Sequence, residues 1–130
     1  METINLKSNV QTAMMDITKE VKDVVQKSGI VDGICMVFVP HTSAAITLND
    51  NSGPDIRFDI VKETNKVIQC NGDYKYDGNS AAHVKACFYG FSVHVIIEKG
   101  NLVLGNSQGI YFCEFDGPRT REVNVKIMKG

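Results

Sequence analysis

Polar and apolar residues alternate from Glu2 to Lys7, with Ile4 and Leu6 on one side, which predicts a half-buried strand. The period changes at Asp16. From Asp16 to Ser28, Ile17, Val21, Val24, Val25 and Ser28 recur at helical spacing with lysines and acids between them. This predicts an amphipathic helix capped by Asp16 and stopped by Gly29. Gly33 to Pro40 is a nearly continuous apolar run, the pattern of a strand buried on both faces. Ala44 to Leu48 predicts a second strand, and Asn49 to Pro54 a loop of turn formers.

Pro54 suits a helix start, and Ile56, Ile60, Thr64, Val67 and Ile68 form the stripe of that helix. Gln69 to Ser80 reads as loop. Ser80 to Tyr89 predicts a third helix ended by Gly90. Ser92–Glu98 and Asn101–Leu104 predict a hairpin around Lys99-Gly100. Gly109–Phe115 and Glu122–Met128 predict two more strands, joined through Asp116-Gly117-Pro118. The order β-α-ββ-α-α-ββββ lacks the regular alternation of a parallel sheet. It predicts an α+β sandwich of antiparallel or mixed sheet with helices packed outside.

The 130 residues fit one domain, 1–130, with 43% hydrophobic and 22% charged residues. The net charge of -1 argues against nucleic-acid binding driven by bulk charge. No apolar run reaches the roughly 18 residues of a membrane span, and the N-terminus lacks a signal-peptide pattern. A cytoplasmic protein is expected. The four cysteines, Cys35, Cys70, Cys87 and Cys113, match no zinc spacing and read as free thiols. Cys35, Cys87 and Cys113 lie in apolar surroundings and read as core residues.

Several clusters carry candidate chemistry. His41, Thr42 and Ser43 follow a buried strand, where an imidazole can act as acid or base, or can satisfy backbone groups at a turn. Asp55 and Asp59 share a helix face. They suit Mg²⁺, or they simply favour the helix dipole. His83 and Lys85 lie near the start of the third helix, His83 facing a cleft or resting partly buried. Gly105 to Gly109, with Gln108, offers backbone amides to an anion or forms a bulged turn. Glu114, Arg119 and Arg121 flank a Pro turn, where guanidinium groups bind an oxyanion or brace the turn. His94, inside an alternating strand, reads as structural or interfacial.

Taken together, HTSAAITLNDN at 41–51, PDIRFD at 54–59, DGNSAAHVKACFYG at 77–90, EKGNLVLG at 98–105, QGI at 108–110 and EFDGPRTR at 114–121 resemble one family. It is the YjbQ-like secondary thiamine-phosphate synthase family. The resemblance implies a homotrimer with a cleft around the HTSA and DGPR segments. It implies a low-activity transferase, joining a pyrimidine pyrophosphate to a thiazole phosphate with Mg²⁺; the alternative is a non-catalytic binding protein for a phosphorylated small molecule that has drifted from the enzyme pattern. Carried over by position, His41, His83, Asp55 and Asp59 would be catalytic. Thr42, Ser43, Asn49, Gln108, Glu114, Arg119 and Arg121 would hold substrate or anion. Family members usually carry histidine where Tyr76 stands, and many carry histidine where Ala81 stands and tryptophan where Ser107 stands. His41 and His83 alone fall short of the three ligands of a catalytic zinc, so no stable zinc site is expected.

Overall fold

The computed structural model describes residues 1–130. The elements are β1 (Glu2–Lys7), β2 (Ala13–Asp16), α1 (Thr18–Ser28), β3 (Gly33–Phe38), β4 (Ala44–Asp50), α2 (Pro54–Val67), α3 (Ser80–Tyr89), β5 (Ser92–Glu98), β6 (Asn101–Leu102), β7 (Gln108–Glu114) and β8 (Thr120–Lys129). They form two antiparallel sheets, β1-β8-β3-β5-β6 and β2-β7-β4. The α+β expectation is met, with three helices and no parallel pairing.

The core lies between the sheets. Cys35, Val37, Val123, Val125 and Ile97 of the larger sheet face Ala44, Ile46, Ile110 and Phe112 of the smaller. Ile17 joins Val21 and Val25 of α1 in closing this layer. Side chains alternate along a strand. So β7 sends Ile110 and Phe112 inward and Tyr111 and Cys113 to the opposite face. There Ala82 and Ala86 of α3 pack against Ala45, Tyr111 and Cys113. The alanines bring α3 close to the sheet, and α2 lies alongside through Ile60 and Val61. The result is three layers: large sheet, small sheet, and the α2/α3 pair.

Several details differ from the sequence expectation. β3 is buried on one face only: Cys35 and Val37 are buried, whereas Ile34 and Phe38 are exposed. A run of apolar residues reveals composition, not which face is covered. β2 was not foreseen. Its four residues pair with only one neighbour, β7, and carry too short a pattern to detect. α1 begins one residue later than expected, with Ile17 and not Asp16 as its N-cap. Asp16 belongs to β2, yet its Oδ1 still accepts from the Thr18 N–H at 2.9 Å. α2 contains no buried residue, and Val67 in its predicted stripe is 83% exposed. Cys87 is exposed, because α3 turns Ala82 and Ala86 to the sheet and Cys87 away. The hairpin turn is as expected, with Lys99 and Gly100 both at positive φ (54° and 79°).

Candidate functional site

Two polar centres flank the segment that follows β7. The first is a buried ion pair. Glu114 is completely buried and Arg121 is 5% exposed. Glu114 Oε1 accepts from Ser8 Oγ at 2.7 Å and from Arg121 Nε at 2.9 Å. Its Oε2 accepts from the Asp116 N–H at 3.0 Å and from Arg121 Nη2. Arg121 Nη2 also donates to Ser43 Oγ at 3.0 Å and to the Ser43 carbonyl at 3.3 Å. Burial pushes the Glu114 carboxyl up, but the hydrogen bonds from Arg121, Asp116 and Ser8 outweigh it and hold it below its ordinary value. Gly117 makes this packing possible. A Cβ there would lie 2.2 Å from the Val10 carbonyl oxygen and 2.6 Å from Ser8 Oγ. The pair is saturated by groups of the chain itself.

His41 stands beside this pair. Its Nε2 accepts from the Glu122 N–H at 3.0 Å. β3 leaves β8 at the Phe38–Asn124 pairing, so the next β8 amide on that side needs another acceptor, and His41 supplies it. The proton of the neutral ring is therefore on Nδ1. Burial and the nearby Arg121 guanidinium push the His41 pKa below its ordinary value.

The second centre is a pocket of about 410 Å³ between the end of α2, the start of α3 and the segment after β7. Asn65, Gln69, Asn71 and Asn79 contribute amides to its lining, and Lys85 and Asp116 contribute charges. Lys85 is 4% exposed. It continues the buried stripe of α3 through Ala81, Ala82 and Ala86, so the helix that packs on the sheet also buries this amine. Nζ donates to Asn65 Oδ1 at 2.5 Å and lies 5.8 Å from the centre of the Phe115 ring. No carboxylate pairs with it. Burial pushes its pKa below the usual lysine value, with the Cys70 thiol acting weakly in the opposite direction. One helical turn on, the Tyr89 hydroxyl bonds Thr64 Oγ1 at 2.6 Å, so α3 grips α2 at two successive turns.

The two centres are linked. Asp116, whose N–H reaches Glu114, takes Asn79 Nδ2 and Arg119 Nη2 on Oδ2, each at 2.7 Å. Burial raises its pKa, but Arg119 and Asn79 outweigh that and keep it ionised. Asn79 Oδ1 is then the acceptor for the His83 Nε2–H at 3.1 Å.

The remaining expected site residues lie apart from this pocket lining. Thr42 and Asn49 are exposed, and Asn49 Oδ1 accepts from the adjacent Asp50 N–H. Gln108 Oε1 accepts from the Gly105 N–H at 3.0 Å, closing its own turn. Asp55 and Asp59 are exposed on α2 and make no side-chain hydrogen bond, while Arg57 between them lies over the Tyr111 ring at 5.8 Å. No three His, Cys, Asp or Glu side chains are grouped as a metal centre requires. The pocket amides and the special position of Lys85 were not foreseen. The available signal was a single lysine inside the small-residue stripe that faces the sheet.

Comparison with known proteins agrees along the full chain. A family model described as UPF0047 protein YjbQ-like matches residues 2–130. The UPF0047 protein YugU of Bacillus subtilis is 44% identical over 130 residues, covering 98% of each chain. A UPF0047 protein of Methanocaldococcus jannaschii is 41% identical over 124 residues, covering 95% of this chain and 90% of its own. The crystal structure of an uncharacterized YjbQ/UPF0047-family protein from Clostridium acetobutylicum superimposes with a TM-score of 0.96 at 50% identity, covering 98% of this chain and 100% of that one. A YbjQ-like protein of unknown function from Sulfolobus solfataricus gives a TM-score of 0.95 at 33% identity, covering 99% and 96%. With its layered fold, its HTSA and DGPR segments around the buried ion pair, and this match from end to end, the chain belongs to the YjbQ-like UPF0047 family.

Proposed function

We propose that this protein binds a phosphorylated small molecule, with the phosphate seated against Lys85. The observation that carries this reading is a buried ammonium with no carboxylate partner in an amide-lined pocket. A buried charge is costly until it is paired. Asn65 takes one of its three donors, and an anion entering the pocket would take the others. The amides of Gln69, Asn71 and Asn79 supply neutral hydrogen bonds to the rest of the ligand.

The transferase reading asks for more. Joining a pyrimidine pyrophosphate to a thiazole phosphate requires His41, His83, Asp55, Asp59 and Arg119, with Mg²⁺, around one substrate. None of the five lines the pocket that holds Lys85, so the geometry favours binding. The assembly expected is a homotrimer. Ile34, Phe38, Ile96 and Met128, exposed on the large sheet, offer apolar surface for self-association.

The test is titration calorimetry with inorganic pyrophosphate on the intact protein and on Lys85→Met. Binding by the native chain that weakens at least about tenfold in the variant, roughly 1.4 kcal/mol, supports the reading. Equal heats from both proteins, or none from either, overturn it.

A further inference from the structure

Lys85 stands apart from the other amines of the chain. Every other lysine of the chain is exposed, whereas Lys85 is 4% exposed and lines a cavity large enough for a small metabolite. Without a carboxylate partner, loss of its proton leaves no buried anion behind. Asn65 Oδ1 then still accepts from the neutral amine, which leaves the nitrogen lone pair one of two remaining directions. The Phe115 ring, 5.8 Å from Nζ, supplies an apolar wall.

We propose that Lys85 forms a reversible imine with a ligand bearing an aldehyde or ketone, the pocket amides holding the carbonyl oxygen. This rests on the reading of the same pocket as a small-molecule site. The Nζ lone pair adds to the carbonyl carbon, and the C=O π pair moves to oxygen. A proton passes from nitrogen to that oxygen, giving a carbinolamine. The nitrogen lone pair then expels the hydroxyl group as the C–O bond breaks, and it leaves as water with the nitrogen's remaining proton, giving the imine. One water is released and nothing is oxidised or reduced. Asp116 lines the same pocket with its Oδ2 already held by Asn79 and Arg119, so the protons are exchanged with solvent entering the pocket. Burial, which favours the uncharged amine, works in the same direction.

The experiment uses the intact protein with pyridoxal and, separately, pyridoxal phosphate, each at low concentration. Borohydride reduces any imine to a stable secondary amine, and peptide mass spectrometry locates it. The expected result is a reduced adduct on Lys85 at higher occupancy than on any exposed lysine, absent from a Lys85→Arg variant whose circular dichroism matches the native chain. Adducts confined to exposed lysines, with Lys85 unmodified by either aldehyde, overturn the proposal. Pyridoxal lacks the phosphate, so this result is separable from the pyrophosphate titration. Pyrophosphate binding without an adduct removes the imine alone. An adduct with pyridoxal but no pyrophosphate binding keeps the imine and removes the phosphate reading.

Discussion

The protein buries two basic side chains on either side of one short segment, and it treats them in opposite ways. Arg121 meets a fully buried carboxylate whose oxygens are all taken, and its spare donor finds Ser43. Lys85 meets one amide oxygen and an aromatic face. The first arrangement is complete within the chain. The second is complete only when something enters the pocket. Residues that flank the DGPR turn, read from sequence as an oxyanion site or as a brace of the turn, make the self-satisfied half, and the unfinished half lies on α3.

Breaking the satisfied pair gives the largest effect. Arg121→Met leaves Glu114 buried without its cation and is expected to cost about 3–5 kcal/mol. Replacing Glu114 and Arg121 together by apolar residues should cost clearly less than that single change. Urea denaturation of the three proteins measures both. A double variant as unstable as the single one would mean that the pair's packing, not its charge, matters.

At Lys85 the sign reverses. Lys85→Met removes an uncompensated buried ammonium and is expected to raise stability, by about 1 kcal/mol at neutral pH. Its folded pKa lies below the ordinary 10.5, so the folded protein sheds this proton before the unfolded chain does. Native stability therefore rises as pH climbs toward 10.5, and the advantage of the variant shrinks. Thermal melts at neutral and alkaline pH test this. A destabilised variant would place Lys85 among ordinary structural residues.

His41 separates the two centres most gently. Its folded pKa lies below the ordinary 6.5, so the unfolded chain takes up the proton first as pH falls. Its contribution is complete above pH 6.5 and is lost as pH drops from there toward the folded value. Glu114 acts in the window below, its contribution being lost as pH falls below 4.5 through its lowered folded value. His41→Ala should cost about 1 kcal/mol near neutrality and abolish the upper of these two acid slopes. Denaturation midpoints measured against pH in both proteins would show it.

Most of the fold was legible because each signal was local. The helical recurrence of Val21 and Val25, the proline that opens α2 and the glycine that ends α3 all act within a few residues. What was hidden depended on neighbours distant in the chain. The outer face of β3 is open because nothing in the chain covers Ile34 and Phe38, and no local pattern encodes that. The site was legible in kind but not in arrangement. Polar clusters at 41–43, 79–83 and 114–121 were visible, and their hydrogen bonds do connect them. That Glu114 and Arg121 consume one another depends on the bend at Gly117, which brings Ser8 into place. The burial of Lys85 was hidden because it comes from packing against a sheet whose strands lie elsewhere in the sequence.

The large sheet has one further consequence, for how the chain folds. β8 runs between β1 and β3, so residues 2–7 find their partners only at residues 120–125. On the ribosome the first strand has no neighbour until the last strand emerges, and β3 lacks one of its two until then. Contacts separated by so much chain slow folding. The nascent protein must hold β1 and one edge of β3 open until then, which makes residues 120–129 the step that commits the sheet.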